Sequence, residues 1–294
     1  MTQRILVAVD ASDASICALK AARGLAEARA ATLALVHVPL TFSDPEPLIP
    51  RSHGINQVRG LELERIAREA LESRIAEVEG FAAVDRFFEL GSPAEAIVRR
   101  AAAWNADLIV VGSHGRKGIL RALLGSVAEN VVRLAHCAVL VSRPHRESGV
   151  VVAATDLSDP LLPVARRAAE EAALRGATLV VVHVTESPRV EPAALIAPLP
   201  GDAGTPAHPL ESGPDPLTIR LGDALRRCGV SGEPLVLGAD VVDSVTHLVD
   251  ERDAELLVIG ARTRAAISAS SLGRAAEKLA RLAACSVLVV RDVT

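Results

Sequence analysis

The chain repeats itself, and the repeat constrains its fold more than any single motif. RILVAVDASD at residues 4–13 returns as VVVAATDLSD at 150–159, and ATLALVHV at 31–38 returns as ATLVVVHV at 177–184. Asp10 therefore matches Asp156, and His37 matches His183, at an offset of 146. Later the offset is 148: DLIVVGSHG at 107–115 returns as ELLVIGART at 255–263, and AHCAVLVS at 135–142 as AACSVLVV at 283–290. A unit of this length is too long for a solenoid and holds a complete alternation of elements. The chain reads as two related domains, residues 1–146 and 147–294, joined by a short linker near 144–149. At 294 residues in all, each is long enough to bury its own core.

Within the first copy, short apolar runs alternate with stretches of helical period. Residues 4–9, 31–38, 83–90, 108–111 and 138–141 read as strands, and 13–29, 60–79, 94–103 and 126–135 as helices. The stretch 39–59 has four prolines and no sustained period, so it reads as a long loop. Strands that are apolar throughout are buried on both faces, and their alternation with helices indicates a parallel sheet. Right-handed crossovers gather the loops that follow the strands along one edge, where open α/β sheets take ligands. Asp10, Val38, Gly91 and Gly112 belong to that edge. The second copy keeps the frame but has a proline-rich loop at 185–216 and a shorter helix at 217–228. Its Pro234 predicts a strand that is short or less demanding in position.

Between the fourth and fifth strands of the first copy lies G-x2-G-x9-G-S: Gly112, Gly115, Gly125 and Ser126. It is neither the Walker pattern nor the dinucleotide GxGxxG. Gly112 permits a tight exit from the strand, and Gly115 permits close approach of a ligand or a positive φ. Gly125 admits an anion against the helix start, where Ser126 offers its amide and hydroxyl. On the residues alone, two readings stand: a phosphate site, or a set of turn and capping residues.

This pattern, with Asp10 and Asp156 after each first strand and the CAVLV and CSVLV endings, resembles the universal stress proteins, in tandem and over essentially the whole chain. The resemblance implies an α/β fold of two open five-stranded parallel sheets, each of order 3-2-1-4-5, with helices on both faces. It also implies ATP or another adenine nucleotide on the carboxyl edge, with or without Mg²⁺. Asp10 then takes the place beside adenine and ribose, and Val38 the place whose backbone reads the adenine edge. Gly112 and Gly115 run along the ribose and first phosphates, while Gly125, Ser126 and Val127 hold the outer phosphates. A stress-response or regulatory role follows from the same resemblance, as does association through the last strands. That makes the two domains an internal pseudo-dimer and leaves further homo-oligomer formation open.

The second copy departs within the motif. Gly260 and Gly273 are kept, but Thr263 replaces the second glycine and Arg274 replaces the serine. Thr263 restricts the backbone, and Arg274 cannot supply a short hydroxyl donor, although it, Arg262 and Arg264 could neutralise an anion. The second site reads as degenerate, with an altered anion site as the other reading. Arg116 and Lys117 read as solvated loop cations that could add charge to the first site. His114 and His37 lack an acidic partner at diagnostic spacing, and His183 repeats His37, so packing or loop hydrogen bonding explains them better than catalysis.

Ser126 and Asp10 could assist Mg²⁺, but no base for water is evident, so binding is better supported than turnover. A nucleotide-independent scaffold and a slow ATP hydrolase are the alternatives. The four cysteines, Cys17, Cys137, Cys228 and Cys285, form no CxxC and no zinc pattern, and read as reduced structural residues. A net charge of -4, and four Phe, one Trp and no Tyr, argue against nucleic acid as a partner. No run approaches a membrane span, so a cytoplasmic protein is expected, without membrane partners.

Overall fold

The structure, a computed structural model, describes residues 2–10, 12–39, 65, 68–69, 71–73, 75–78, 80–81, 84–113, 124–144, 146, 148–157, 162–185, 215–261 and 272–291. The first half runs β1 (Arg4–Ala8), α1 (Asp13–Arg29), β2 (Thr32–His37), β3 (Asp85–Phe88), α2 (Pro93–Ala103), β4 (Leu108–Gly112), α3 (Ser126–Leu134) and β5 (Ala138–Ser142). The second runs β6 (Val150–Ala154), α4 (Pro163–Arg175), β7 (Thr178–Thr185), α5 (Pro216–Arg227), β8 (Glu233–Gly238), α6 (Val241–Glu251), β9 (Leu256–Gly260), α7 (Arg274–Leu282) and β10 (Ser286–Val290). The helix expected over 60–79 is helical at its described residues between 65 and 76. Of the two proline-rich stretches, only Pro39, Thr185, Asp215 and Pro216 lie among the described residues.

Both halves have strand order 3-2-1-4-5, and they join into one ten-stranded sheet, β3-β2-β1-β4-β5-β10-β9-β6-β7-β8. Every neighbouring pair is parallel except the junction, where β5 meets β10 antiparallel with Val139 opposite Val289, Leu140 opposite Leu288 and Val141 opposite Val287. The two expected sheets are thus halves of a single sheet, and their ligand edges face in opposite directions.

The strands are apolar on both sides because both sides are covered. Leu6, Ile109, Val139 and Val141 bury one face under α2 and α3, continuing through Leu257, Val287 and Val289 under α6 and α7. Ile5, Val7, Leu108, Val110 and Leu140 bury the other under α1 and the helical segment of Leu71 and Ile75, continuing through Val151, Leu256 and Val258 under α4 and α5. Each core layer therefore crosses the junction. Pro234 lies in β8, a six-residue edge strand paired only with β7. The edge position, rather than a shortened strand, accommodates the missing N–H.

The junction is also tied by side chains. Arg143, just past β5, is 5% exposed and reaches the last carbonyls of α7, while Arg291, just past β10, reaches those of α3. Burial pushes the Arg143 guanidinium down to about 10, which leaves it protonated at neutral pH. On the opposite face Arg29 of α1 pairs with Glu171 of α4. Among the described residues, no helix is long and apolar enough to cross a membrane.

Candidate functional site

In an order 3-2-1-4-5 the crevice between oppositely directed crossovers opens between β1 and β4. Asp10 follows the first of these strands and Gly112 ends the second, so both candidates flank it. Val38, half-buried, follows β2 on the same edge.

Asp10 is held by residues that the sequence reading did not single out. Its Oδ1 accepts from Ser12 N at 3.0 Å, from Ser15 Oγ at 2.7 Å and from Ser12 Oγ, and its own N–H donates to Ser15 Oγ at 2.8 Å. Ser12 and Ser15 are 8% and 4% exposed, so their hydroxyls fix the carboxylate from the protein side. None of these bonds uses Oδ2. Ser12 begins α1 without capping it through its side chain, because its hydroxyl serves Asp10 instead. The signal was present as D-x-S-x-x-S at residues 10–15, and Leu161 stands where the copy would need the second serine. Asp156 itself is exposed, and Leu157 beside it has φ 59°.

Gly112 has a different physical reason from the one its strand-end position suggested. A Cβ there would lie 2.7 Å from Ala14 O and 2.8 Å from Ala14 C, both backbone atoms of the first turn of α1. The residue is glycine because a helix start presses on the strand end. His37 behaves as the duplication predicted: its Nδ1 bonds Val9 O at 2.8 Å, and His183 Nδ1 bonds Thr155 O at 2.9 Å.

The helix start is built as expected. Gly125 is the N-cap of α3, with φ −69°, ψ 148° and no side-chain cap. Ser126 and Val127 follow it, exposed, so the first-turn amides can serve an external acceptor. Gly125 N–H donates to Ser113 O at 2.7 Å, and Ser113 N–H to Ser142 O at 3.0 Å, which brings the helix start to the ends of β4 and β5. Gly115, with His114, Arg116 and Lys117, lies outside the described residues, as do Arg262, Thr263 and Arg264. In the second half Gly273 caps α7 with φ −68°, ψ 146° and bonds Ala261 O at 2.8 Å. Among the described residues the N-cap backbone is therefore the same at both helix starts, while the exposed side chain at the first helical position changes from Ser126 to Arg274 and the next from Val127 to Ala275.

Chemically, one edge offers hydrogen-bond donors at the start of α3 and a fixed carboxylate acceptor at Asp10. That donor set fits a phosphate at the first and hydroxyl groups at the second. Two such α/β units, fused through their last strands, define a tandem doubly wound protein with its candidate site at the switch point. The universal stress protein family matches residues 1–143 and again 148–291, and the chain belongs to that family. Universal stress protein YxiE of Bacillus subtilis is 34% identical over 154 residues, covering 49% of this chain and 100% of that protein. Universal stress protein MJ0531 of Methanocaldococcus jannaschii is 36% identical over 150 residues, covering 49% of this chain and 85% of that protein. A universal stress protein from Archaeoglobus fulgidus shares the fold over 98% of both chains, with a TM-score of 0.63 and 18% identity. A putative universal stress protein from Pseudomonas aeruginosa shares it over 99% of this chain and 93% of that one, with a TM-score of 0.62 and 20% identity.

Proposed function

We propose that the N-terminal half binds an adenine nucleotide, ATP or a close relative, and that the protein acts in regulation or stress response through binding rather than turnover. The observation that carries this is the pairing on one strand edge of an exposed, glycine-capped helix start with the serine-held Asp10. In this reading the amides of Ser126 and Val127 and the Ser126 hydroxyl take the outer phosphates, and Asp10 accepts from ribose hydroxyls. The Val38 backbone reads the adenine edge, and Gly112 and Gly115 line the path between. Ser126 and Asp10 would be the protein groups to assist a Mg²⁺ ion, which would neutralise phosphate charge.

Binding is favoured over turnover because titratable groups at the ends of β1, β2 and β3 are already engaged. Asp10 serves two serines, His37 serves Val9 O, and Glu89 is paired with Arg100. Asp10 keeps Oδ2 for a ligand, and in this reading that oxygen accepts from ribose rather than from water.

The test is to denature freshly purified protein, identify any nucleotide released, and titrate ATP into the stripped protein by calorimetry. Gly115→Val is expected to abolish binding, and Ser126→Ala to weaken it by about tenfold, the worth of one good hydrogen bond to a charged group. No released nucleotide, and no heat at millimolar ATP, would sink the proposal in favour of a nucleotide-independent scaffold. Hydrolysis that vanishes in Ser126→Ala while binding persists would instead make the protein a slow ATP hydrolase.

A further inference from the structure

The helix start at Ser126 does not rest on the N-terminal half alone. Gly125 hangs from Ser113 and Ser113 from Ser142, and the next residue, Arg143, sends its side chain into the other half. Arg143 Nη1 donates to Cys285 O at 3.0 Å, and Nη2 donates to Ala280 O at 2.6 Å and Arg281 O at 3.4 Å. Its backbone N–H donates to Ser286 Oγ at 3.1 Å. At the far end of α3, Arg291 of the C-terminal half donates through Nη2 to Val132 O at 2.6 Å and Arg133 O at 3.1 Å. The last carbonyls of a helix have no partner within it and carry the negative end of its dipole. A planar, permanently charged guanidinium that can bond several of them fixes a helix end in both position and rotation.

We infer that Arg143 and Arg291 are positioning residues for the N-terminal site. The C-terminal half, whose own glycine pattern is incomplete, is then the clamp that holds α3 and Ser113 in place for the ligand. This rests on the nucleotide reading given above. It explains why the second half keeps its junction strand, its last helix and its terminal arginine while Thr263 and Arg274 interrupt its motif. A simpler role, cohesion of the two halves, is separated from it by Arg29. Arg29 also crosses between halves, to Glu171, but it does so on the opposite face of the sheet, away from α3 and Ser113.

The experiment compares the full chain with Arg143→Ala, Arg291→Ala and Arg29→Ala, all well below their melting temperatures. Arg143→Lys is added as a variant that keeps the buried charge but loses the fork. Two readouts are taken: ATP affinity by calorimetry, and amide hydrogen exchange at residues 125–129 without nucleotide. The expected result is ATP affinity lower by about five- to tenfold in Arg143→Ala and Arg291→Ala, in the range of coupling between sites. Arg143→Lys should fall between wild type and Arg143→Ala. Exchange at 125–129 should quicken in the Arg143 and Arg291 variants, while Arg29→Ala melts earlier with affinity and exchange at 125–129 unchanged. Wild-type affinity and exchange in both alanine variants would overturn the inference, as would an equal loss of both in Arg29→Ala. If the wild-type chain itself binds no ATP, the nucleotide reading fails. The exchange readout then decides alone whether the arginines position α3.

Discussion

At the scale of single residues, Gly112 is the position where fold and site meet. An added methyl would have to displace the Ala14 backbone, 2.7 Å from its ideal place, and a helix backbone cannot swing aside like a long side chain. The first turn of α1 would shift as a body and carry Ser15, which holds Asp10. Gly112→Ala should therefore cost about 1–3 kcal/mol, as overpacking does, and should weaken nucleotide binding although the substitution adds no charge. Urea unfolding and an ATP titration of the same variant check both effects, and an unchanged midpoint would show that α1 yields more easily than its geometry indicates. The sequence marked Gly112 as special but suggested a local cause, because a strand-end glycine looks the same whether it turns the chain or admits a helix. Ser12 and Ser15 were legible as a short polar pattern. Only the structure shows that their hydroxyls point back to Asp10 rather than capping the helix they begin.

At the scale of elements, the order of strands and helices follows from periodicity, and the departures come from contacts that periodicity does not encode. Glu171 is the clearest case. On an amphipathic helix it reads as a solvated acid, yet its side chain is 2% exposed beneath the junction, because α4 packs close enough to α1 for Arg29 to reach it. Arg175 pairs with it too, and Arg167 lies 3.3 Å away. Burial by itself would raise the Glu171 carboxyl, but Arg175, Arg29 and Arg167 together outweigh it and hold the group below its usual 4.5. The folded protein thus binds this proton less tightly than the unfolded chain. Its contribution is complete above pH 4.5 and is lost as pH falls from there through the lowered value. The melting temperature should accordingly drop as acid is added through that window. Glu171→Gln should destabilise the protein at pH 7 by about 1–3 kcal/mol, the cost of removing one charged partner from half-buried arginines of which Arg167 and Arg175 keep Glu170 and Glu255, and should flatten the acid limb. Melting curves from neutral to acid pH for both proteins decide it; parallel curves would mean that other carboxylates govern the acid response.

At the scale of the whole molecule, the repeat made two units legible, but the antiparallel meeting of β5 and β10 is a tertiary pairing that no spacing reveals; the family resemblance pointed to it. Its consequence concerns association. In the intact chain both last strands are consumed, and the sheet ends in β3, with Asp85 and Arg86, and β8, with Glu233 and Pro234. Charges and a proline discourage further strand pairing at such edges. A fragment of residues 1–146 would instead present the β5 edge, the α3 flank that faces α7, and α3 carbonyls deprived of Arg291. A second copy can answer all three: β5 pairs with β5, α3 meets α3, and Arg143 takes the place of Arg291, to which the repeat relates it. The fragment is therefore expected to sediment as a dimer, whereas the intact chain does not associate through these strands. Removing the guanidinium with Arg143→Ala should shift the fragment toward monomer, while the same change leaves the intact chain's mass unchanged. Sedimentation equilibrium of the two fragments beside the intact chain is the measurement. A folded, monomeric 1–146 would show that the junction is a product of tethering rather than of complementary surfaces.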